Sequence, residues 1–265
     1  MLYRTRSVLV ETEPGTEEEA DFTKISIDGC WAFIPNALFE VLFEELGPGL
    51  QADIGSSEGI VDAAGFDLSW CKSAEHRNLI NEMLAMEAVT TDNTIDGSSW
   101  MFKPYPISTF GKLLDAVVTD IDPIDKCNDV LAPRRLKFLE VGCGPGTKLV
   151  IAEKVFGLDA GGIDYNPEYV RDANELLQSK GCKGGAFVAD AREVKVPYIL
   201  ADVIWLNRPF VHLELARHLE KTVLNRMHPG AYIILGNYAI DPKELGWQVI
   251  AEDKMAIVLR KPVLK

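Results

Sequence analysis

The chain has 265 residues, 47% hydrophobic and 25% charged, a composition that can bury a sizeable globular core. A formal net charge of -13 argues against broad binding to nucleic acid, which needs a basic footprint. The longest apolar runs, such as AYIIL at 231–235, are far too short to span a bilayer.

From the N-terminus, MLYRTRSVLVETEPG is basic at first, but its apolar run covers only Val8 to Val10, so no secretory leader is expected. YRTRSVLVET (3–12) and FTKISIDG (22–29) are expected as strands joined by an acidic loop. WAFIPNALFEVLFEEL (31–46) is expected to hold a third short strand and then a helix after Pro35. Residues 47–62 are Gly/Ser-rich and expected as a linker or mobile loop. Helical spacing follows over 75–89, a polar loop over 90–99, an aromatic and proline-rich stretch over 100–110, and a helix over 110–121.

The C-terminal half has sharper punctuation. RLKFLEV (135–141), AGGI (160–163), GAFVAD (185–190), ADVIWLN (201–207) and PGAYIILGN (229–237) are expected as strands. Helices are expected between them over 146–157, 166–181 and 211–227. The second of these is signed by an Asn N-cap, Pro167 and Gly181. Residues 191–200 leave room only for an abbreviated crossover. WQVIA (247–251) and MAIVLR (255–260), separated by EDK, are expected to form an antiparallel hairpin. Strands alternating with helices indicate an α/β fold with a mostly parallel sheet and right-handed crossovers.

Cys30, Cys71, Cys127, Cys143 and Cys182 are odd in number and form no CxxC pair. They suggest reduced thiols in a cytoplasmic setting, neither a disulfide framework nor a zinc site. His212 and His218 fall on different faces of a helix, so no metal-ligand spacing is present. Arg134, Arg135 and Lys137 form the one tight basic cluster, which reads as a solvated strand entrance.

The segment FLEVGCGPGTKL (138–149) carries the chemistry. A strand, then three alternating glycines, then a helix would place free backbone N–H groups and a helix N-terminus at a ligand. A phosphate-binding P-loop is excluded because Lys148 follows Thr147. A dinucleotide fingerprint would need glycine at position 147, where Thr147 stands. Asp164 ends the next strand, where an acid can accept from ribose hydroxyls; the alternative is a helix N-terminal acid. Asp190 follows the third strand and can accept from an adenine amino group while the Ala191 N–H meets a ring nitrogen; the alternative is a solvated N-cap. Asn207-Arg208-Pro209-Phe210 follows the fourth strand. All four elements fall at carboxyl ends of strands, where open α/β sheets bind ligands.

Together these segments resemble the class I S-adenosylmethionine (SAM)-dependent methyltransferases over roughly Leu136 to Lys261. FLEVGCGPGTKL is similar to the family's first motif, GIDYNPEYV to its acidic-strand motif, and VADARE and ADVIWLNRPF to its third and fourth. The resemblance implies a Rossmann-like, seven-stranded sheet with an antiparallel C-terminal hairpin and an α+β N-terminal extension. It divides the chain into a β-hairpin and helix module (1–48), a substrate cover with a lead-in helix (49–132) and a SAM-binding core (133–265).

The implied cofactor is SAM, with S-adenosylhomocysteine as product. Glu140 and the loop of Gly142, Cys143, Gly144 and Gly146 would hold its methionine end. Asp164 would hold the ribose and Asp190 with Ala191 the adenine, and Tyr165 and Asn207 are further cofactor-binding candidates. Asn207, Phe210 and His212 are the candidates nearest the acceptor: Asn207 as an acceptor from an amino group, Phe210 as a stacking ring, His212 as a base. Phe210 as a core residue and His212 as an exposed helix-start histidine are the plainer readings. Arg208 stands where nitrogen-methylating members often carry proline, so it either meets an acidic acceptor or pairs with a surface carboxylate. Trp100, Phe102, Tyr105 and Phe110 form either a substrate wall or a small satellite core.

The expected partner is a small-molecule or protein acceptor, with no membrane. The competing readings are a non-catalytic interaction module on the same fold and a nicotinamide-dependent oxidoreductase.

Overall fold

A computed structural model describes residues 2–4, 9–13, 22–27, 30–35, 44–45, 67–71, 73–89, 105–121 and 135–263. The chain divides into two compact units, Met1–Ser69 and Trp70–Lys265. This division coincides with neither expected boundary, 48/49 or 132/133. Both helices that precede the large sheet belong to the second unit.

The first unit contains strands β1 (Leu2–Arg4), β2 (Leu9–Glu13), β3 (Phe22–Ile27), β4 (Cys30–Pro35) and β5 (Glu44–Glu45). They form an antiparallel sheet in the order β4-β3-β2-β1-β5. The single strand expected over 3–12 is two strands folded on each other, with Leu2 opposite Glu11. Residues 44–45, expected as helix, instead pair with β1, Tyr3 opposite Glu45; sheet pairing overrides the local helical spacing there. The rest of that expected helix, the stretches 47–62 and 90–99, and Trp100 and Phe102 lie outside the described residues.

The second unit opens with α1 (Ala74–Val89) and α2 (Ile107–Asp120). Then come β6 (Lys137–Val141), α3 (Thr147–Lys154), β7 (Asp159–Asp164), α4 (Pro167–Ser179) and β8 (Gly185–Val188). The short α5 (Val196–Leu200), the abbreviated crossover, leads to β9 (Val203–Asn207), α6 (Leu213–Arg226) and β10 (Tyr232–Gly236). A 3₁₀ turn (Pro242–Leu245) precedes the hairpin β11 (Gln248–Glu252) and β12 (Ala256–Arg260).

The seven strands lie in the order β11-β12-β10-β9-β6-β7-β8. β8, β7, β6, β9 and β10 run parallel, and β12 pairs antiparallel with β10 and β11. This is the expected α/β sheet. The strand order reverses around β6, which puts the switch point, where such sheets bind ligands, at the carboxyl ends of β6 and β9. The central strands are apolar throughout because both faces are covered: Val203, Ile204, Trp205 and Leu206 of β9 are all buried.

α2 covers one face. Its Phe110 stands edge-on to Phe138 at 5.9 Å and to Trp205 at 5.2 Å, and Tyr105 meets Trp205 at 5.0 Å. Tyr105 and Phe110 are thus anchors of the main core, neither a substrate wall nor a satellite cluster. α4 starts as its sequence demands: the Asn166 side chain accepts from the Glu168 N–H at 2.9 Å, with Pro167 in the first turn. No helix among the described residues is long and apolar enough to cross a membrane.

Candidate active site

β6 delivers Glu140 and then the glycine loop. Gly142, Gly144 and Gly146 have φ of 77°, 50° and 82°, a left-handed backbone that side chains disfavour. Gly146 is also crowded: a Cβ there would sit 2.9 Å from the Ala173 Cβ and 3.1 Å from its Cα on α4. The loop's N–H groups are not free for a ligand, contrary to expectation. Those of Gly142 and Cys143 both bond the Ile163 carbonyl, at 2.8 and 3.0 Å. That of Gly144 bonds Asp164 Oδ2 at 2.8 Å, and that of Gly146 the Cys143 carbonyl at 3.0 Å. The backbone spends its donors on tying the loop to β7. What the glycines leave is close approach: a Cβ on Gly142 would meet only Pro209, at 3.6 Å.

Asp164 therefore has a structural task. Its Oδ2 accepts from Gly144 and its Oδ1 from the Asn166 N–H, each at 2.8 Å. It braces the loop and the turn into α4 together, which joins the two readings of this acid. Each carboxylate oxygen keeps further acceptor capacity. Burial raises its pKa, while the bonds from Asn166, Gly144 and Tyr165 backbone pull it down. Tyr165 is half-exposed beside it.

Glu140 is the unusual group. Its side chain is buried, and its Oε2 has no hydrogen-bond partner among the described residues. A buried acid without a partner is costly. Burial accordingly pushes its pKa from 4.5 to about 8, with Lys148 pulling it down and Glu87 and Asp164 pushing it further up. The unfolded chain can lose this proton above its ordinary value; the folded chain keeps it until about 8. Glu140 therefore subtracts stability progressively as pH rises through that window, and changes nothing further outside it. Glu140→Gln should stabilise the ligand-free protein, with an advantage larger at about pH 8 than at about pH 5 in urea unfolding. An advantage independent of pH would refute the raised pKa.

Asp190 lies just past β8, with its carboxylate gripped by Arg192. The guanidinium Nε donates to Oδ1 at 2.9 Å and Oδ2 at 3.0 Å, and Nη2 donates to Oδ2 as well. The same guanidinium lies over the Phe210 ring at 5.7 Å. Phe210 is buried and part of the hydrophobic core, so its expected role as an open stacking ring gives way to packing. Ala191 packs partly against that core, and its carbonyl accepts from the Tyr198 hydroxyl at 2.7 Å.

Asn207 ends β9 opposite Gly236 of β10. Its Oδ1 accepts from Asn237 Nδ2 at 2.8 Å, and a Cβ on Gly236 would lie 2.7 Å from that oxygen. Arg208 has a φ of 21° and lies close enough to Glu220 to favour its ionised form. Glu220 is buried and accepts from the Ala239 and Ile240 N–H groups. His212 is exposed at the N-cap of α6 without a side-chain capping bond.

The fold gathers Glu140, the glycine loop and Asp164 directly, and sets Asp190 and Asn207 at the ends of the flanking strands β8 and β9. Sequence reasoning missed Glu87, Arg192 and Asn237. Arg192 sits beside Asp190 in sequence, and Asn237 follows β10 as Asn207 ends β9, so both left a local signal. Glu87 lies far off in sequence on α1 and left none.

Residues 138–230 match the family described as "Methyltransferase domain". This segment is a methyltransferase domain. The chain is 24% identical over 118 residues to 27-O-demethylrifamycin SV methyltransferase of Amycolatopsis mediterranei (strain S699), a match covering 44% of this chain and 43% of that protein. It therefore spans less than half of that relative's length. Similar solved structures include an RNA methyltransferase from Salinibacter ruber in complex with S-adenosyl-L-homocysteine (17% identity, 62% of this chain and 96% of that one, TM-score 0.45). TehB from Haemophilus influenzae is another (15% identity, 57% and 62%, TM-score 0.42). The match to a methyltransferase domain does not favour the nicotinamide-dependent reading.

Proposed function

We propose that this chain is a class I enzyme transferring the methyl group of SAM to a nitrogen or oxygen nucleophile of a small molecule or protein. The observation that carries the reading is Glu140, a buried carboxylate beside the glycine loop whose Oε2 has no partner among the described residues. Such a group suits a cation, and the amino group of the cofactor's methionine end is one. The bound cofactor supplies a methyl already activated by its sulfonium charge.

The protein's part is then to position and to exclude water. Gly142 lets the ligand approach the backbone closely, while Gly146 makes room for Ala173 of α4 and Cys143 packs inward, which together hold the loop in place. Asp164 receives the ribose hydroxyls with its remaining lone pairs while bracing the loop. Asp190 and Ala191 flank the adenine, with Asp190 held in place by Arg192. Asn207, fixed by Asn237, faces the acceptor end. His212 is exposed and takes the role of base only for an acceptor that arrives protonated.

The net charge of -13 favours a small-molecule or protein acceptor over a polyanion. Free Cys71, Cys143 and Cys182 suit a reducing, cytoplasmic compartment. Incubation with methyl-labelled SAM and fractionated small-molecule and protein pools tests the activity. Label should pass to a discrete acceptor, and to none in controls that lack the protein. A protein that binds cofactor yet labels nothing in any pool would support the non-catalytic alternative.

A further inference from the structure

Behind Glu140 lies a second buried carboxylate. Glu87 of α1 and Lys148 of α3 are both nearly inaccessible, and Lys148 Nζ donates to Glu87 Oε1 at 2.8 Å. The Thr147 hydroxyl donates to that same oxygen at 2.5 Å. Lys148 is also close enough to Glu140 to pull its carboxyl toward ionisation. Two buried acids thus compete for one ammonium, and Glu87 holds it while Glu140 Oε2 has no partner among the described residues.

If Lys148 turned to Glu140 instead, it would neutralise that acid, and a ligand cation would have to displace it. We propose that Glu87 is a positioning residue of the cofactor site: it holds the Lys148 ammonium away from Glu140, so that Glu140 stays open to the ligand's amino group. This rests on the methyltransferase reading above. The charged groups facing Glu140 are Lys148 on α3, Glu87 on α1 and Asp164 on β7, with the buried Cys143 thiol in the loop between.

Two probes separate a role at the amino-acid end from general damage. S-adenosylhomocysteine carries the tail with the amino group; 5′-methylthioadenosine carries the nucleoside without it. Glu87→Gln keeps an acceptor oxygen for Thr147 and Lys148 but removes the competing charge. Parent and variant are titrated side by side at one pH, at which S-adenosylhomocysteine still carries its amino proton. Glu87→Gln should weaken S-adenosylhomocysteine about tenfold and change 5′-methylthioadenosine by less than about twofold. Equal weakening of both probes, or no change in either, overturns the proposal. Failure of the parent itself to bind S-adenosylhomocysteine would instead sink the methyltransferase reading.

Should Glu87→Gln not fold, the double variant Glu87→Leu with Lys148→Met replaces the pair by apolar groups, which buried pairs often tolerate. With no competing ammonium left, it should bind S-adenosylhomocysteine within about twofold of the parent. A folded double variant that has lost that binding also overturns the proposal.

Discussion

Gly146→Val should destabilise the protein by about 3 kcal/mol and abolish binding of S-adenosylhomocysteine. Two independent penalties meet at this residue. Its φ of 82° lies where a β-branched side chain is most strained, and its Cβ would press on Ala173 of α4 at 2.9 Å. α4 cannot retreat without disturbing its own N-terminus, where Asn166 and Asp164 are tied together by a 2.8 Å hydrogen bond. Gly157→Ala is the matching control. Its φ is 69°, but nothing lies within 4 Å of its Cβ, so only backbone strain remains. About 1 kcal/mol should be lost there, with ligand binding intact. Chemical denaturation of both variants checks the contrast. Equal losses would show that crowding against α4 contributes nothing.

Asp164→Ala should reduce affinity for S-adenosylhomocysteine at least about 100-fold, and stability by about 2 kcal/mol. The stability loss follows from two orphaned N–H groups, those of Gly144 and Asn166. The affinity loss has two sources, the ribose acceptors and the loop that Asp164 braces. Asp164→Asn separates them. It keeps one oxygen for a backbone N–H and nearly the same shape, so stability should recover more than affinity does. Calorimetry on both variants is the check. An unchanged affinity in Asp164→Ala would refute the ribose role.

Much of the large sheet was legible because local rules and burial agree there. Asn166, Pro167 and Gly181 bracket α4, and the apolar run Val203–Leu206 could only be a covered strand. The acids at 140, 164 and 190 were legible because each lies near or just past the carboxyl end of a strand. What each acid bonds to was not. Asp164 meets Gly144, and Glu140 feels Glu87 and Lys148, only after β7 and α1 have packed against β6 and α3. Spacing carries no trace of such meetings. The glycine loop misled in one respect: its pattern suggested donors offered to a ligand, yet Ile163, Asp164 and Cys143 consume them. At β5 the helical spacing around Glu44 and Glu45 lost to pairing with β1, a partner far away in sequence.

Titration of the full chain with S-adenosylhomocysteine in a calorimeter bears most directly on the site assembled from Glu140, the glycine loop and Asp164. One-site binding tighter than roughly 0.1 mM is expected, and it should be lost in Glu140→Gln together with Asp164→Ala. No detectable heat at about millimolar ligand, from a folded protein, would contradict the assignment of this site to the cofactor.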